Sequence, residues 1–321
     1  LIRRMAAEGM DMTFTPARRY RSILVPVDGS QFAEHALPLA LGIARRSGAI
    51  VRVVHVRLLP RPAVRPEPLY YEDSRLSALL KRRQQEYLED LCRRISRTTS
   101  VPVTSVPVQG GEVAHALAAA STGADLVVMA THGRGKLGRL VWGSVAYELM
   151  RKLSVPLLLV RGYNAPADLT GDPIIRKVLV PLDGTTAAEK SLGPALAFGN
   201  AMRAEHTLLR ALPWDADLAH GGRQVSETWS YYEAVVKRLG ARGVQVNPCI
   251  VLDERPTAEA ILRYARVNEF DAVALVIRER SGLSRLFRSG VADQLIQGAS
   301  VPVLVIRENT EIDKVTGRKD S

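Results

Sequence analysis

Leu126-Val127-Val128-Met129-Ala130-Thr131-His132-Gly133-Arg134-Gly135-Lys136, running on through Trp142 to Gly143-Ser144-Val145, is the stretch from which the fold can be read. Its opening apolar run has the character of a parallel strand buried on both faces. Beyond the glycines, Val145, Leu149 and Leu153 recur at helical spacing. The order is therefore strand, glycine-rich loop, helix N-terminus. Such a segment aims backbone N–H groups and the positive end of a helix dipole at one point, which suits a phosphate. Ser144 is placed to cap the helix. Gly133 and Gly143 let the backbone approach a ligand with no Cβ in the way. The spacing of Gly133-Arg134-Gly135-Lys136 is not that of a Walker A loop. A ligand-free turn rich in glycine and arginine is the alternative.

Working outward, the chain repeats itself. Ser22-Ile23-Leu24-Val25-Pro26-Val27-Asp28-Gly29-Ser30 returns as Lys177-Val178-Leu179-Val180-Pro181-Leu182-Asp183-Gly184-Thr185. Gly123 to Ala130 returns as Glu269 to Val276, and Ser154-Val155-Pro156-Leu157-Leu158-Leu159-Val160 as Ser300-Val301-Pro302-Val303-Leu304-Val305-Ile306. The period far exceeds that of a solenoid, so each copy is expected to be a domain. The expected layout is a basic disordered arm (1–20), domain one (21–162), a linker (163–173), domain two (174–307) and a polar disordered tail (308–321).

Within the first copy the pattern predicts strands at 22–27, 49–56, 102–108, 126–130 and 156–160. Helices are predicted from Ser30 to about Arg46, from Ser74 to Arg97, over 112–121, and after Ser144. Alternating strands and amphipathic helices mean an α/β fold with a parallel sheet covered on both faces. Right-handed crossovers narrow this to Rossmann-like three-layer sandwiches, each with a five-stranded, mainly parallel sheet. Ligands of such sheets sit beyond the carboxyl ends of the strands at the topological switch point. Asp28 and the 130–144 loop both follow strands at that edge and should face one crevice. Pro38 falls inside the first predicted helix and is expected to bend it, with Pro194 as its shifted counterpart. Residues 57–73 carry Pro60, Pro62, Pro66 and Pro68, and read as an extended surface connection or a lid over the crevice. The stretch Pro213 to Arg223 is expected to be similarly irregular.

The chain's 321 residues leave room for about two domains. Apolar content of 46% and charged content of 24% fit a globular protein, and no run of about 18 uncharged apolar residues suggests a membrane span. The basic start lacks the apolar core of a secretory signal. Two cysteines, Cys92 and Cys249, make no disulfide framework, and the cytoplasm is the expected compartment. The histidines show no metal spacing. A net charge of +11 invites a nucleic-acid reading, but the basic residues are dispersed and no binding signature accompanies them. A solvated basic surface is the simpler account.

The motifs together resemble the universal stress protein family. The resemblance runs from Ser22 to Arg307 and rests on Val25 to Ser30, Val53-Val54-His55-Val56, Ala130 to Gly133, Gly143-Ser144-Val145 and the closing strand. The family's Gly-x2-Gly-x9-Gly-Ser/Thr signature is met by Gly133, Gly143 and Ser144, while Ala130 stands where its first glycine would be. This implies an adenine nucleotide alpha hydrolase-like fold and a site for ATP, or AMP or ADP, with Mg2+ carried on the phosphates. The implied site residues are Pro26, Val27, Asp28, Val56, Ala130, Gly133, Arg134, Gly143, Ser144 and Val145. Asp28 would meet the ribose, and the backbone of Val56 the adenine. Each has a plainer role as well: a turn for Asp28, a buried strand end for Val56, exposed loop residues for Arg134, Lys136 and Arg139, and a structural hydrogen bond for His132. The methyl of Ala130 could crowd the phosphates, or its backbone position could suit only glycine.

The second copy departs further. Gly133 becomes Glu279, and Gly143-Ser144 becomes Ser289-Gly290. Two charge-assisted hydrogen bonds lost cost about 3–6 kcal/mol, against about 8 kcal/mol for the whole of micromolar binding. The second copy is thus expected to be a structural or regulatory partner. The functional expectation is a stress-response regulatory protein with one nucleotide site. The alternatives are a nucleotide-independent interaction module with an unidentified protein partner, and a slow ATPase; no nucleophile–base pair suggests an efficient enzyme. Family members are similar in pairing through the last strand. A linker from Gly162 to Pro173, up to about 40 Å when extended, lets 156–160 pair antiparallel with 302–306 inside one chain. The protein would then be monomeric, or a homodimer through another surface.

Overall fold

A computed structural model describes residues 20–58, 74–132, 144–215, 222–277 and 290–308. The expected arm, tail and lid fall largely or wholly outside these residues. The first half runs β1 (Ser22–Val27), α1 (Gln31–Glu34), α2 (Leu37–Ser47), β2 (Ile50–Leu58), α3 (Ser74–Ser96), β3 (Val103–Gly110), α4 (Val113–Ala120), β4 (Leu126–His132), α5 (Ser144–Lys152) and β5 (Leu157–Gly162). The second repeats it: β6 (Lys177–Pro181), α6 (Thr186–Glu189), α7 (Leu192–Met202), β7 (Glu205–Pro213), α8 (Arg223–Gly240), β8 (Asn247–Asp253), α9 (Thr257–Val267), β9 (Ala272–Ile277), α10 (Val291–Gly298) and β10 (Val303–Arg307).

All ten strands form one sheet, ordered β3-β2-β1-β4-β5-β10-β9-β6-β7-β8. Within each half every pairing is parallel. The halves join where β5 and β10 run antiparallel, with Leu157 opposite Val305, Leu158 opposite Leu304 and Leu159 opposite Val303. The expected pairing of the closing strands is thus present, and it fuses the two five-stranded sheets into one. An apolar edge strand exposes unpaired backbone groups, and each half here covers the other's.

The apolar runs are continuous because alternate residues feed two core layers. Ile23, Val25, Leu158 and Leu304 face a layer filled from α2, α3, α7 and α8. Leu24, Leu157, Leu159 and Val303 face the other, filled from α4, α5, α9 and α10. Both layers run across the seam.

Two local expectations are corrected. Residues 30–46 form two helices, broken at His35-Ala36, rather than one bent at Pro38. Pro38 lies in the first turn of α2, where its missing N–H costs nothing. The second half breaks likewise between α6 and α7, with Pro194 third in α7. The irregular stretch expected over Pro213 to Arg223 is narrower, since β7 reaches Pro213 and α8 starts at Arg223; residues 216–221 lie outside the described residues. The connection between the halves is docked: Leu169 and Ile175 are buried. Asp172 meets Arg45 and Arg46 at 2.6 and 2.8 Å, and a ring nitrogen of His35 lies 2.8 Å from the Ala165 carbonyl.

Candidate functional site

The strand order reverses between β1 and β4, which are hydrogen-bonded neighbours with Ile23 opposite Leu126. In such a sheet the crevice opens beyond the carboxyl ends of these two strands. Pro26 and Val27 end β1 as buried residues opposite Val54 and His55. Asp28 follows them and is exposed. Its Oδ1 accepts from the Ser30 N–H (2.9 Å) and hydroxyl (2.5 Å), and Ser30 Oγ accepts from the Ala33 N–H (3.2 Å) to cap α1. Gly29 between them has φ +87°, which only glycine adopts freely.

The second half rebuilds this turn. Asp183 Oδ1 accepts from the Thr185 N–H (3.0 Å) and hydroxyl (2.5 Å), and Thr185 Oγ1 accepts from the Ala188 N–H (3.2 Å). The aspartate is therefore required by the turn in both halves, whatever binds there.

Ala130 lies inside β4 opposite Val160 and is buried. The strand continues to His132, two residues past its expected end. Among the described residues only Arg203 and Glu269 are non-glycine residues with positive φ. The backbone at Ala130 therefore makes no demand for glycine, which leaves the methyl group as its one difference from the family pattern. Thr131 beside it is buried, its hydroxyl donating to the Val160 carbonyl at 3.3 Å. Val56 is half-buried in β2, opposite Val108. Ser144, exposed, is the first residue of α5 rather than the residue before it, and Val145 packs against the core layer beneath. Gly133, Arg134 and Gly143, with Lys136 and Arg139, lie outside the described residues, as do Glu279 and Ser289 of the second half.

Next to Asp28 sits a polar cluster that the sequence analysis did not single out. The buried Glu34 carboxylate accepts from Arg94 Nη2 (2.8 Å) and Nη1 (3.0 Å) and from the Tyr87 hydroxyl (3.1 Å). Burial, then the Glu34 charge, pushes the Tyr87 hydroxyl far above its ordinary range. Tyr87 meets the ring of His55 edge-on, with centroids 5.7 Å apart. Burial lowers the His55 imidazole, against the upward pull of the Asp28 backbone. Gln84 ties β2 to β3 by donating to the carbonyls of His55 (2.7 Å) and Val108 (3.2 Å). In the second half Glu189 pairs with Arg238, and burial followed by Glu189 raises Tyr231. The one signal in the sequence was this repetition of Glu, Tyr and Arg at matched places in the two copies.

Among the described residues no group of three or more His, Cys, Asp and Glu could hold a metal ion, and no helix is long and apolar enough to cross a membrane. Comparison with known proteins gives the universal stress protein family model matching residues 19–161 and again 175–307. The chain belongs to the universal stress protein family. A universal stress protein of Thermus aquaticus is 34% identical over 144 residues, 44% of this chain and 99% of that one. One from Mycobacterium tuberculosis is 25% identical over 301 residues, 89% of this chain and 96% of its own length. Over some other mycobacterial universal stress proteins the match is shorter, reaching 64% of their length. The crystal structure of a universal stress protein from Archaeoglobus fulgidus superposes with a TM-score of 0.69 at 17% identity, covering 89% of this chain and 98% of that one. That likeness speaks to the fold: a tandem pair of Rossmann-like units.

Proposed function

We propose that this universal stress protein binds one adenine nucleotide, ATP or its relatives AMP and ADP, in the first of two domains (21–162 and 174–307), and acts as a cytoplasmic regulatory protein of the stress response. The observation that carries the reading is the junction of β1 and β4. The turn holding Asp28 and the segment holding Gly133, Gly143 and Ser144 leave adjacent strands at the switch point, in the half that retains those residues. The phosphates would meet the N–H groups around Gly143-Ser144 at the start of α5, where the helix dipole favours an anion. Adenine would lie toward Val56 and the ribose toward Asp28, with any Mg2+ arriving on the phosphates. In the second half Glu279 stands in the sequence where Gly133 does in the first, and its carboxylate would repel them.

Calorimetric titration with ATP tests this. One site per chain is expected, abolished by Gly143→Asp and retained in Gly290→Asp; two equivalent sites would refute it. A second reading, a nucleotide-independent interaction module, is favoured by the carboxylate of Asp28 being engaged as fully as that of Asp183. It would be supported by no heat of binding, and by mass spectrometry finding no nucleotide released from the denatured protein. A slow ATPase would show turnover that survives purification and vanishes in Gly143→Asp.

A further inference from the structure

Ala299 stands where the first half has a leucine. Leu153 follows α5 directly before Ser154-Val155-Pro156, is 2% exposed and packs in the core layer of α4 and α5. Ala299 follows α10 directly before Ser300-Val301-Pro302 and is 3% exposed. Phe270 is larger than its counterpart Ala124, but its ring lies against Tyr264, with centroids 5.8 Å apart. Tyr264 is held in turn by the Cys249 thiol, which donates to its hydroxyl at 3.2 Å. Between α9 and α10 there remains a cavity of about 140 Å³. Leu262, Phe270, Val273, Ala299 and Val301 form its walls. The polar side chains that line it, those of Arg266, Glu269 and Ser300, belong to exposed residues and mark its mouth.

Apolar space left empty costs stability in proportion to its volume. Water gains little there, because a buried water needs two to four polar partners and these walls are hydrocarbon. The chain itself shows how the space could be closed, since leucine serves at the same place in the first half. The backbone of Ala299, at φ −63° and ψ 133°, is one that any residue adopts, so it does not exclude leucine. Two copies of one fold thus differ in that one fills this place and the other keeps it open.

We propose that the cavity between α9 and α10 is a binding site for a small apolar molecule of one ring, about the size of benzene. A cavity of about 150 Å³ lined by leucine, isoleucine and phenylalanine stays dry and admits such a ring. Phe270 adds an aromatic surface against which a second ring can lie offset or edge-on. All the lining residues are in the second half, so the site does not rest on the nucleotide reading. Arg161 of β5 donates to the Ala299 carbonyl, which sets the cavity against a contact between the halves.

Thermal unfolding of the full chain with benzene near aqueous saturation, in sealed cells, tests this, with Ala299→Leu as the comparison. Benzene should raise the melting temperature of wild type. Without benzene, Ala299→Leu should melt higher than wild type, because it fills the space as Leu153 does. Its affinity for benzene should be weaker tenfold or more. Gly143→Asp should respond to benzene as wild type does, whatever becomes of its ATP binding. No rise in wild type overturns the proposal, as does an Ala299→Leu protein that keeps the wild-type response. An Ala299→Leu protein that melts lower than wild type would mean that another part of the chain already fills the space, and overturns it too.

Discussion

Truncating Leu158 to alanine should weaken the second half of the chain, although the residue lies in the first. Leu158 and Leu304 face each other across the β5–β10 seam, and both are fully buried in the same core layer. A buried leucine cut to alanine costs about 2–5 kcal/mol, the spread reflecting how far the site collapses. Directly opposed residues also share the cavity, so the second truncation should cost less than the first by about 0.5–3 kcal/mol. The chain contains its own reporter. Of its three tryptophans, Trp214 and Trp229 are in the second half, and Trp142→Phe silences the third. With a urea slope of about 3 kcal/mol per molar, a loss of 3 kcal/mol moves the midpoint by about 1 M. Leu158→Ala should therefore lower the urea midpoint of the second-half tryptophans, and Leu304→Ala should do the same. The double variant should fall short of the sum by at least about 0.5 kcal/mol. A tryptophan midpoint untouched by Leu158→Ala, while circular dichroism shows the first half loosened, would mean that the halves unfold independently and that the seam couples nothing.

Two further outcomes follow from packing. His206 is buried, and burial holds its imidazole below the ordinary value despite a hydrogen bond to the Ala195 carbonyl. The unfolded chain then binds the proton more readily, so the stability is present above about pH 6.5 and lost as pH falls from there toward the lowered native value. His206→Gln should flatten this acid limb in urea melts at stepped pH, and an unchanged slope would count against it. Gly162 has no room for a side chain: an added Cβ would lie 2.7 Å from the ring of Phe32. Gly162→Ala should cost about 1–3 kcal/mol as overpacking does, measurable as a lower melting temperature, and a neutral result would place Phe32 elsewhere.

The sheet was legible because each strand is an apolar run buried on two faces, and because the duplication let one copy check the other. Even the seam could be anticipated, since Leu157-Leu158-Leu159 and Val303-Leu304-Val305 are too apolar to be left at an open edge. The break between α1 and α2 was less visible. Pro38 marks a helix start as readily as a kink, and only the geometry of His35-Ala36 decides between them. Of the candidate site, the backbone scaffold was readable, whereas Glu34, Tyr87 and Arg94 were not. On a helix such residues look like a solvated face, and their convergence needs the packing of α3 against α1.

The duplication also separates what the fold needs from what a ligand needs. Asp28 and Asp183 make the same two hydrogen bonds to the next serine or threonine, and each supports a cap on the same short helix. Glu34 with Arg94, and Glu189 with Arg238, repeat an ion pair in the same place. A substitution at any of these positions perturbs a turn or a helix contact first, so lost binding there says little about contact with a ligand. The informative positions are those where the halves differ while the backbone stays the same. Among the described residues His55 against Arg210, at the same place in β2 and β7, is such a pair beside the turn, and in the sequence Gly133 against Glu279 and Ser144 against Gly290 differ where the nucleotide is proposed to bind. At Gly184 the guanidinium of Arg210 comes within 2.6 Å of where a Cβ would stand, while at Gly29 the ring of His55 stays 4.0 Å away. The second half thus sets a cation against its own turn, where the first sets an imidazole whose pKa burial lowers. Under the proposed reading of one nucleotide site, that difference adds to the one in the sequence of the glycine loop.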